Sequence, residues 1–218
     1  MPTFVVLPAT PSDLEAVAHV QFAACASDHA FPVIFPRGAT STSLTHMVKS
    51  YENDMYSDPS CHIMVVKEAM SGEVASFAVW HFYAPQSQDE IDEEMLTREF
   101  PLPADSNKEL GSRLLHNSVR KRHEVVAANI GAERPYAFLA AIGTSPKYQK
   151  QGAGSLLLDW GLERADDRGF ATYVEASPAA VRLYRKQGFA EVDRLPLEIS
   201  PWKDGEYVNL CMVRHPST

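Results

Sequence analysis

The stretch that decides the fold runs from Ser145 to Gly161 and reads SPKYQKQGAGSLLLDWG. Upstream, YAFLAAIGT (136–144) is an apolar run with strand composition. Downstream, GSLLLDWGLERADDRG (154–169) carries its apolar residues at helical spacing. Gly152 and Gly154 lie at the junction. A strand, a glycine-bearing turn and a helix N-terminus together make an anion site, because the first helical N–H groups lack internal partners and the helix dipole is positive there. Glycine lets a bulky phosphate come close to the main chain. The stretch therefore reads as a pyrophosphate cradle.

Two nucleotide-binding patterns fail on named residues. A P-loop ends in Gly-Lys-Ser/Thr, and here Ser155 follows Gly154 directly. A dinucleotide fingerprint needs glycine or alanine at 157, where the chain has Leu157. Gly161 and Ala165, four apart on the following turns, fit close helix–sheet packing instead.

Working outward, ATYVEA (171–176) reads as a strand, SPAAVRLYRKQG (177–188) as a helix closed by Gly188, and FAEVDRL (189–195) and YVNLCMV (207–213) as two more strands. Toward the N-terminus, Phe4 to Leu7 reads as a strand and a helix follows, with Thr10 or Ser12 as its cap. DHAFPVIFPRG (28–38) reads as a loop and 41–56 as a second helix. The runs flanking Ser71-Gly72 read as a hairpin. Residues 84–134 interrupt this pattern with an acidic cluster at 89–94, then FPLPAD, then a long helix over about 107–128. They read as a helical insertion in a single domain spanning 1–218. The expected fold class is α/β (α+β): a mixed, mostly antiparallel central sheet with helices on both faces.

The 218-residue chain has a net charge of −8, which argues against a nucleic-acid partner. Cys25, Cys61 and Cys211 are odd in number and lack metal-ligand spacing, so reduced thiols in a cytoplasmic protein are expected, with no metal site. The N-terminus lacks a basic leader and no apolar run reaches membrane-spanning length. Neither a signal peptide nor a membrane partner is expected.

Gln149-Lys150-Gln151-Gly152-Ala153-Gly154 matches the Q/R-x-x-G-x-G/A signature of the GCN5-related N-acetyltransferases. Thr144 to Tyr148 resembles the stretch preceding that signature. ASPAAVRLYRKQGF (176–189) resembles the family's N-x-x-A-x-x-L-Y-x-x-x-G-F helix. The resemblance covers 137–192, is weaker over 61–82 and is absent over 84–134. The versions around Trp160 and Glu175 look most like fungal members.

The resemblance implies acetyl-CoA as co-substrate. By position, Ile142 and Thr144 offer backbone groups to the pantetheine and acetyl carbonyl. Gln149, Lys150, Gln151, Gly152, Gly154 and Ser155 hold the phosphates. Ser177 replaces the family's asparagine at one further cofactor contact, and Gly143, where bulkier residues are usual, marks a bulge or a close approach. Tyr184 matches the tyrosine that protonates the departing thiolate, and an unperturbed phenol puts an alkaline limb near pH 10. Candidates for the base are Glu175 at the end of its strand, His81, and a water chain. His116 and His123 share a helix face but lack a third ligand for a metal.

Phe31, Phe35, Trp80, Phe82 and Tyr83 are expected to wall an apolar acceptor pocket, with the insertion as a lid. The implied activity is transfer of an acetyl group to a primary amine of a small molecule, by a monomer or homodimer. Acetylation of protein lysines or N-termini and a non-catalytic acyl-CoA-binding module are the alternatives.

Overall fold

The computed structural model describes residues 2–200, 202–204 and 207–217. Seven strands form one open sheet: β1 (Phe4–Pro8), β2 (Cys61–Glu68), β3 (Val74–Tyr83), β4 (Tyr136–Thr144), β5 (Ala171–Ala176), β6 (Ala190–Leu197) and β7 (Tyr207–Arg214). Their order is β1-β2-β3-β4-β5-β7-β6, and every neighbouring pair is antiparallel except β4 and β5. The mixed, mostly antiparallel α/β expectation stands.

Seven α-helices accompany the sheet among the described residues: α1 (Leu14–Cys25), α2 (Phe31–Ile34), α3 (Ser41–Ser57), α4 (Gln88–Thr97), α5 (Lys108–Asn129), α6 (Ala153–Asp167) and α7 (Val181–Lys186). On one face α1 and α3 cover β2 and β3 through Leu14, Val17 and Tyr51 against Val65, Phe77 and Val79. On that same face α5 covers the β5–β7–β6 side, through Leu110, Leu114 and Val126 against Tyr173, Leu195 and Cys211. The opposite face is packed by α6, whose Leu157, Leu158 and Ala165 meet Met64, Ala78 and Trp80.

Gly161 permits the α6 packing. A Cβ there would lie 2.1 Å from Trp80 Cε2, so the helix can approach the indole only without a side chain at that turn. Trp80 is fully buried and its Nε1 donates to the Leu157 carbonyl at 3.2 Å, so its one polar atom is satisfied.

Local chemistry explains most element ends. Asp13 accepts from the Thr10 amide (3.0 Å) and hydroxyl (2.7 Å), fixing the entry to α1. Gly72, at φ +71°, turns the β2–β3 hairpin. Asn107 caps α5 by accepting from the Leu110 amide at 3.1 Å. Four elements differ from the sequence reading. The 28–38 loop contains the single turn α2. The expected 177–188 helix is regular only over Val181–Lys186; residues 177–180 form a turn closed by Ala180 N–H to the Ser177 carbonyl at 2.9 Å. It ends at Gly188 (φ +85°), where Phe189 N–H reaches back to the Tyr184 carbonyl at 3.1 Å.

The third difference is α4, a helix that forms over the acidic cluster because Ser87 and Glu90 cap it reciprocally: Ser87 N–H to Glu90 Oε2 at 2.7 Å and Glu90 N–H to Ser87 Oγ at 3.3 Å. Glu94 of α4 docks on α5, facing Arg122 at 2.9 Å and His123 at 3.0 Å, with Arg98 also bonded to it. Burial alone would raise the Glu94 carboxyl, but the His123 hydrogen bond and the Arg122 and Arg98 charges hold it down at about 2. His123 is therefore spent on this anchor. The fourth difference is the bulge in β4. Val79 pairs with Ala141 and Trp80 with Leu139, so the extra residue is Ala140, not Gly143. Gly143 serves packing instead: a Cβ would lie 2.6 Å from Phe77 Cε1 and 3.2 Å from the Ala24 Cβ.

Candidate active site

The bulge at Ala140 bends β4 away from its parallel neighbour. Pairing with β5 runs from Tyr136↔Ala171 to Leu139↔Val174 and goes no further, although β4 continues to Thr144. The main chain of 140–144 therefore keeps an open edge on the β5 side. Alanines at 140 and 141 and glycine at 143 leave this gap narrow in side chains. Two adjoining cavities fill it, sharing Cys25, Asp28, Ile142, Ser177, Ala180 and Tyr207 in their linings.

The first cavity, about 590 Å³, runs along the end of β4 to the start of α6 and is lined by Ile142, Thr144, Gln149, Gly154 and Ser177 among others. The turn before α6 is built from two left-handed residues, Lys150 (φ 60°) and Gly152 (φ +94°). At Gly152 a Cβ would meet nothing within 4 Å, so glycine is needed there for its backbone angle. The Leu156 amide donates to the Gly152 carbonyl at 3.1 Å. The amides of Ala153, Gly154 and Ser155 come before that bond, at the helix end that attracts anions. Gln149 Nε2 donates to the Thr144 carbonyl at 3.3 Å and Gln151 Nε2 to the Lys147 carbonyl at 2.9 Å. In this state both glutamines brace the turn. A Cβ on Gly154 would lie 3.0 Å from Thr144 Oγ1, so that glycine also lets α6 start against β4.

The second cavity, about 380 Å³, opens from the first between β4 and β5 and extends toward α2, α5 and β6. Glu175 and Tyr184 both line it. Ser118 of α5 lies 2.8 Å and 2.7 Å from the two Glu175 oxygens, and the Tyr173 hydroxyl donates to one of them at 3.2 Å. Burial pushes the Glu175 carboxyl above its ordinary value, against the lowering from Ser118, Tyr173 and the Arg122 charge. A half-buried carboxylate with a raised pKa beside an open strand edge suits proton abstraction. Tyr184 is 3% exposed, packed edge-on against Phe189, and burial alone moves its hydroxyl far above the usual phenol range. The alkaline limb expected near pH 10 from this group is thereby displaced upward.

Phe31 lines the second cavity, but the other aromatic candidates do not. Phe35 is buried against Phe22 and Phe31. Trp80 and Phe82 belong to the core beneath α6. β3 is buried along both faces, so alternation alone could not tell which face meets the cavity. His81 lies 3.2 Å from Asp58 and 3.1 Å from Ser60 Oγ. It does not line either cavity.

Sequence reasoning missed Ser118, Asp28, Tyr207 and Asn209. Asp28 accepts from the Ala30 and Phe31 amides at 2.8 and 2.9 Å and from the Tyr207 hydroxyl. These residues come from α5, the α1–α2 connection and β7, and no local pattern joins them. Of the 84–134 segment, α5 lines the cavity through Leu114, Leu115 and Ser118, whereas α4 braces α5 from behind. Among the described residues no group of three metal-binding side chains occurs, and no helix is long and apolar enough to cross a membrane.

The family profile described as the acetyltransferase (GNAT) family matches residues 35–189. The chain belongs to this family and is an N-acetyltransferase, a class that uses acetyl-CoA as co-substrate. Three solved structures illustrate the shared fold. A Corynebacterium glutamicum protein titled histone acetyltransferase HPA2 and related acetyltransferase is 22% identical, with TM-score 0.60 over 100% of this chain and 98% of that one. A mosquito arylalkylamine N-acetyltransferase like 5b is 16% identical, with TM-score 0.65 over 98% and 100%. The Drosophila melanogaster polyamine N-acetyltransferase is 14% identical, with TM-score 0.66 over 98% and 100%.

Proposed function

We propose that the protein moves the acetyl group of acetyl-CoA to the primary amine of a small molecule by direct attack on the thioester. The observation that carries this reading is the walled second cavity, which meets the open edge of β4 where Glu175 and Tyr184 stand. Side chains from α2, α5 and β6 bound it, a shape suited to a small molecule more than to an extended polypeptide. The names of the mosquito and Drosophila proteins concern small amines, while that of the Corynebacterium protein concerns histones, so the fold by itself leaves the acceptor open.

In this reading the N-terminal turn of α6, with Gln149, Lys150, Gln151, Gly152, Gly154 and Ser155, holds the pyrophosphate. Ile142 and Thr144 present main-chain groups to the pantetheine, and Ser177 borders it. Glu175 takes a proton from the substrate ammonium. The free amine attacks the thioester carbon, and amides of the open β4 edge donate to the oxyanion. Collapse breaks the carbon–sulfur bond, the thiolate takes its proton from Tyr184, and the second proton that the nitrogen sheds on becoming an amide returns through water to the Tyr184 phenolate. The free cysteines suit a reducing, cytoplasmic setting.

Release of free CoA thiol, with product mass, measured against small primary amines and against lysine-bearing and N-terminal peptides, tests the reading. Acetylated small amines are expected. Acetylation confined to the peptides, or bound acetyl-CoA without turnover of any acceptor, would contradict it.

A further inference from the structure

The lining of the acceptor cavity discriminates among small amines. Its polar groups are carboxylates, side-chain amides, hydroxyls and the Cys25 thiol, and among the described residues no lysine, arginine or histidine lines it. Asp28 is already committed to two backbone amides and the Tyr207 hydroxyl. Asn209 is different: its amide oxygen is buried with no hydrogen-bond partner among the described residues. A buried acceptor left unmatched is unfavourable, and a donor brought by a ligand removes that cost.

The strand register fixes what lies near this oxygen. Cys211 of β7 faces Glu175 of β5, and Asn209 lies two residues away on the same face, opposite Leu195 of β6. Asn209 and Glu175 are thus diagonal neighbours, with Cβ atoms ~7–8 Å apart or somewhat less. An ammonium carries three divergent donors and can reach both oxygens from that gap. Beyond this head site the wall toward α2, α5 and β6 is apolar, formed by Phe31, Ile34, Leu114, Leu115, Leu195 and Leu197.

Resting on the small-molecule reading above, we propose that the acceptor is an apolar primary monoamine, alkyl or arylalkyl, and that Asn209 is a specificity-determining residue receiving its ammonium beside Glu175. An amino acid would set its own carboxylate among Asp28 and Glu175 with no cation to meet it. A polyamine would set its second ammonium against the leucine wall of α5 and β6, because Asp28 is already engaged by the Ala30 and Phe31 amides and the Tyr207 hydroxyl. Both arrangements leave a desolvated charge unpaired.

The test compares phenethylamine, phenylalanine and spermidine as acceptors with the intact enzyme and acetyl-CoA. Phenethylamine is expected to exceed both others in kcat/KM by at least about 100-fold, since buried groups built for one partner reject analogues strongly. Asn209→Leu, similar in size but without the acceptor, is expected to raise the phenethylamine KM about tenfold or more while the acetyl-CoA KM holds. Asn209→Asp keeps an acceptor and is expected to retain the wild-type KM or lower it. Equal or better turnover of phenylalanine or spermidine overturns the proposal while leaving small-molecule acetylation intact. An unchanged phenethylamine KM in folded Asn209→Leu overturns the role of Asn209. Turnover of peptides but of none of the three amines overturns the small-molecule reading and this proposal with it.

Discussion

Ser118 Oγ lies within 2.8 Å of both carboxylate oxygens of Glu175, so a helix of the 84–134 segment reaches the base proposed for the chemistry. A helix between β3 and β4 therefore conditions a residue of β5. Hydrogen bonds to an ionised carboxylate contribute roughly 1.5–3 kcal/mol, so Ser118 favours the charged form of Glu175 against its burial.

The first expectation concerns the acid limb of the rate. Glu175 must be ionised to accept a proton, so kcat/KM rises with pH through its pKa. Ser118 lowers that pKa against burial, so Ser118→Ala is expected to move the acid limb upward. The high-pH plateau should change little. A pH–rate profile with the limb unmoved would show that Glu175 is not the titrating base.

The phosphate turn yields a separate expectation. Gly152 sits at φ +94° with open space around the missing Cβ. Valine there strains the backbone by ~1–3 kcal/mol and disturbs the direction of the amides that follow. Gly152→Val is expected to raise the acetyl-CoA KM at least about tenfold, with a modest loss of stability seen in denaturant unfolding. A folded variant with wild-type CoA affinity by calorimetry would remove the turn from the cofactor site.

Glu94 gives a stability expectation with a definite sign. Its carboxyl is held down at about 2, below the 4.5 of the unfolded chain. The stabilising contribution is therefore complete above pH ~4.5 and lost as pH falls toward ~2, on the order of 3 kcal/mol in all. Glu94→Gln is expected to flatten that acid-side loss and to lower stability at neutral pH, because Arg122 would remain buried without its anion. Urea unfolding of wild type and variant at pH 7 and pH 3 measures both effects. Parallel curves would contradict the anchor.

Shortening residues 88–104 probes the same anchor through function. The pocket lining comes from α5, so loss of α4 should reach the acceptor indirectly, through a loosened α5. Acceptor KM is expected to rise with acetyl-CoA KM unchanged, and steady-state kinetics with both substrates checks it. Unaltered acceptor kinetics would mean that α5 holds its place without α4.

The parts of this molecule that were legible in the sequence are those governed by neighbours in the chain. The β4 run, the Gly152–Gly154 turn and the start of α6 are contiguous, and Gly72 and Asn107 act within a few residues of themselves. The cap of α4 was also local: the Ser87-x-x-Glu90 spacing is a capping signature, but the acidic composition masked it. Trp80 and Phe82 could not be assigned a face, because β3 carries apolar side chains on both. The bulge at Ala140 depends on pairing with β3 and so lies outside any single stretch. Ser118 reaches Glu175, and Asp28 and Asn209 join it in one cavity lining, only after α5, the α1–α2 connection and β7 have docked around β5. Their chemistry was invisible until the long-range contacts existed.

The central claim is that thioester cleavage takes place at the β4–β5 gap with Tyr184 as the acid, and kcat of Tyr184→Phe tests it most directly. Phenylalanine preserves the buried ring and its contact with Phe189 while removing the hydroxyl. Acid–base groups contribute typically about 10²–10⁴-fold. With saturating amine at pH 8, kcat is expected to fall at least tens-fold while acetyl-CoA affinity stays at the wild-type value. A folded Tyr184→Phe enzyme with wild-type kcat would contradict the account.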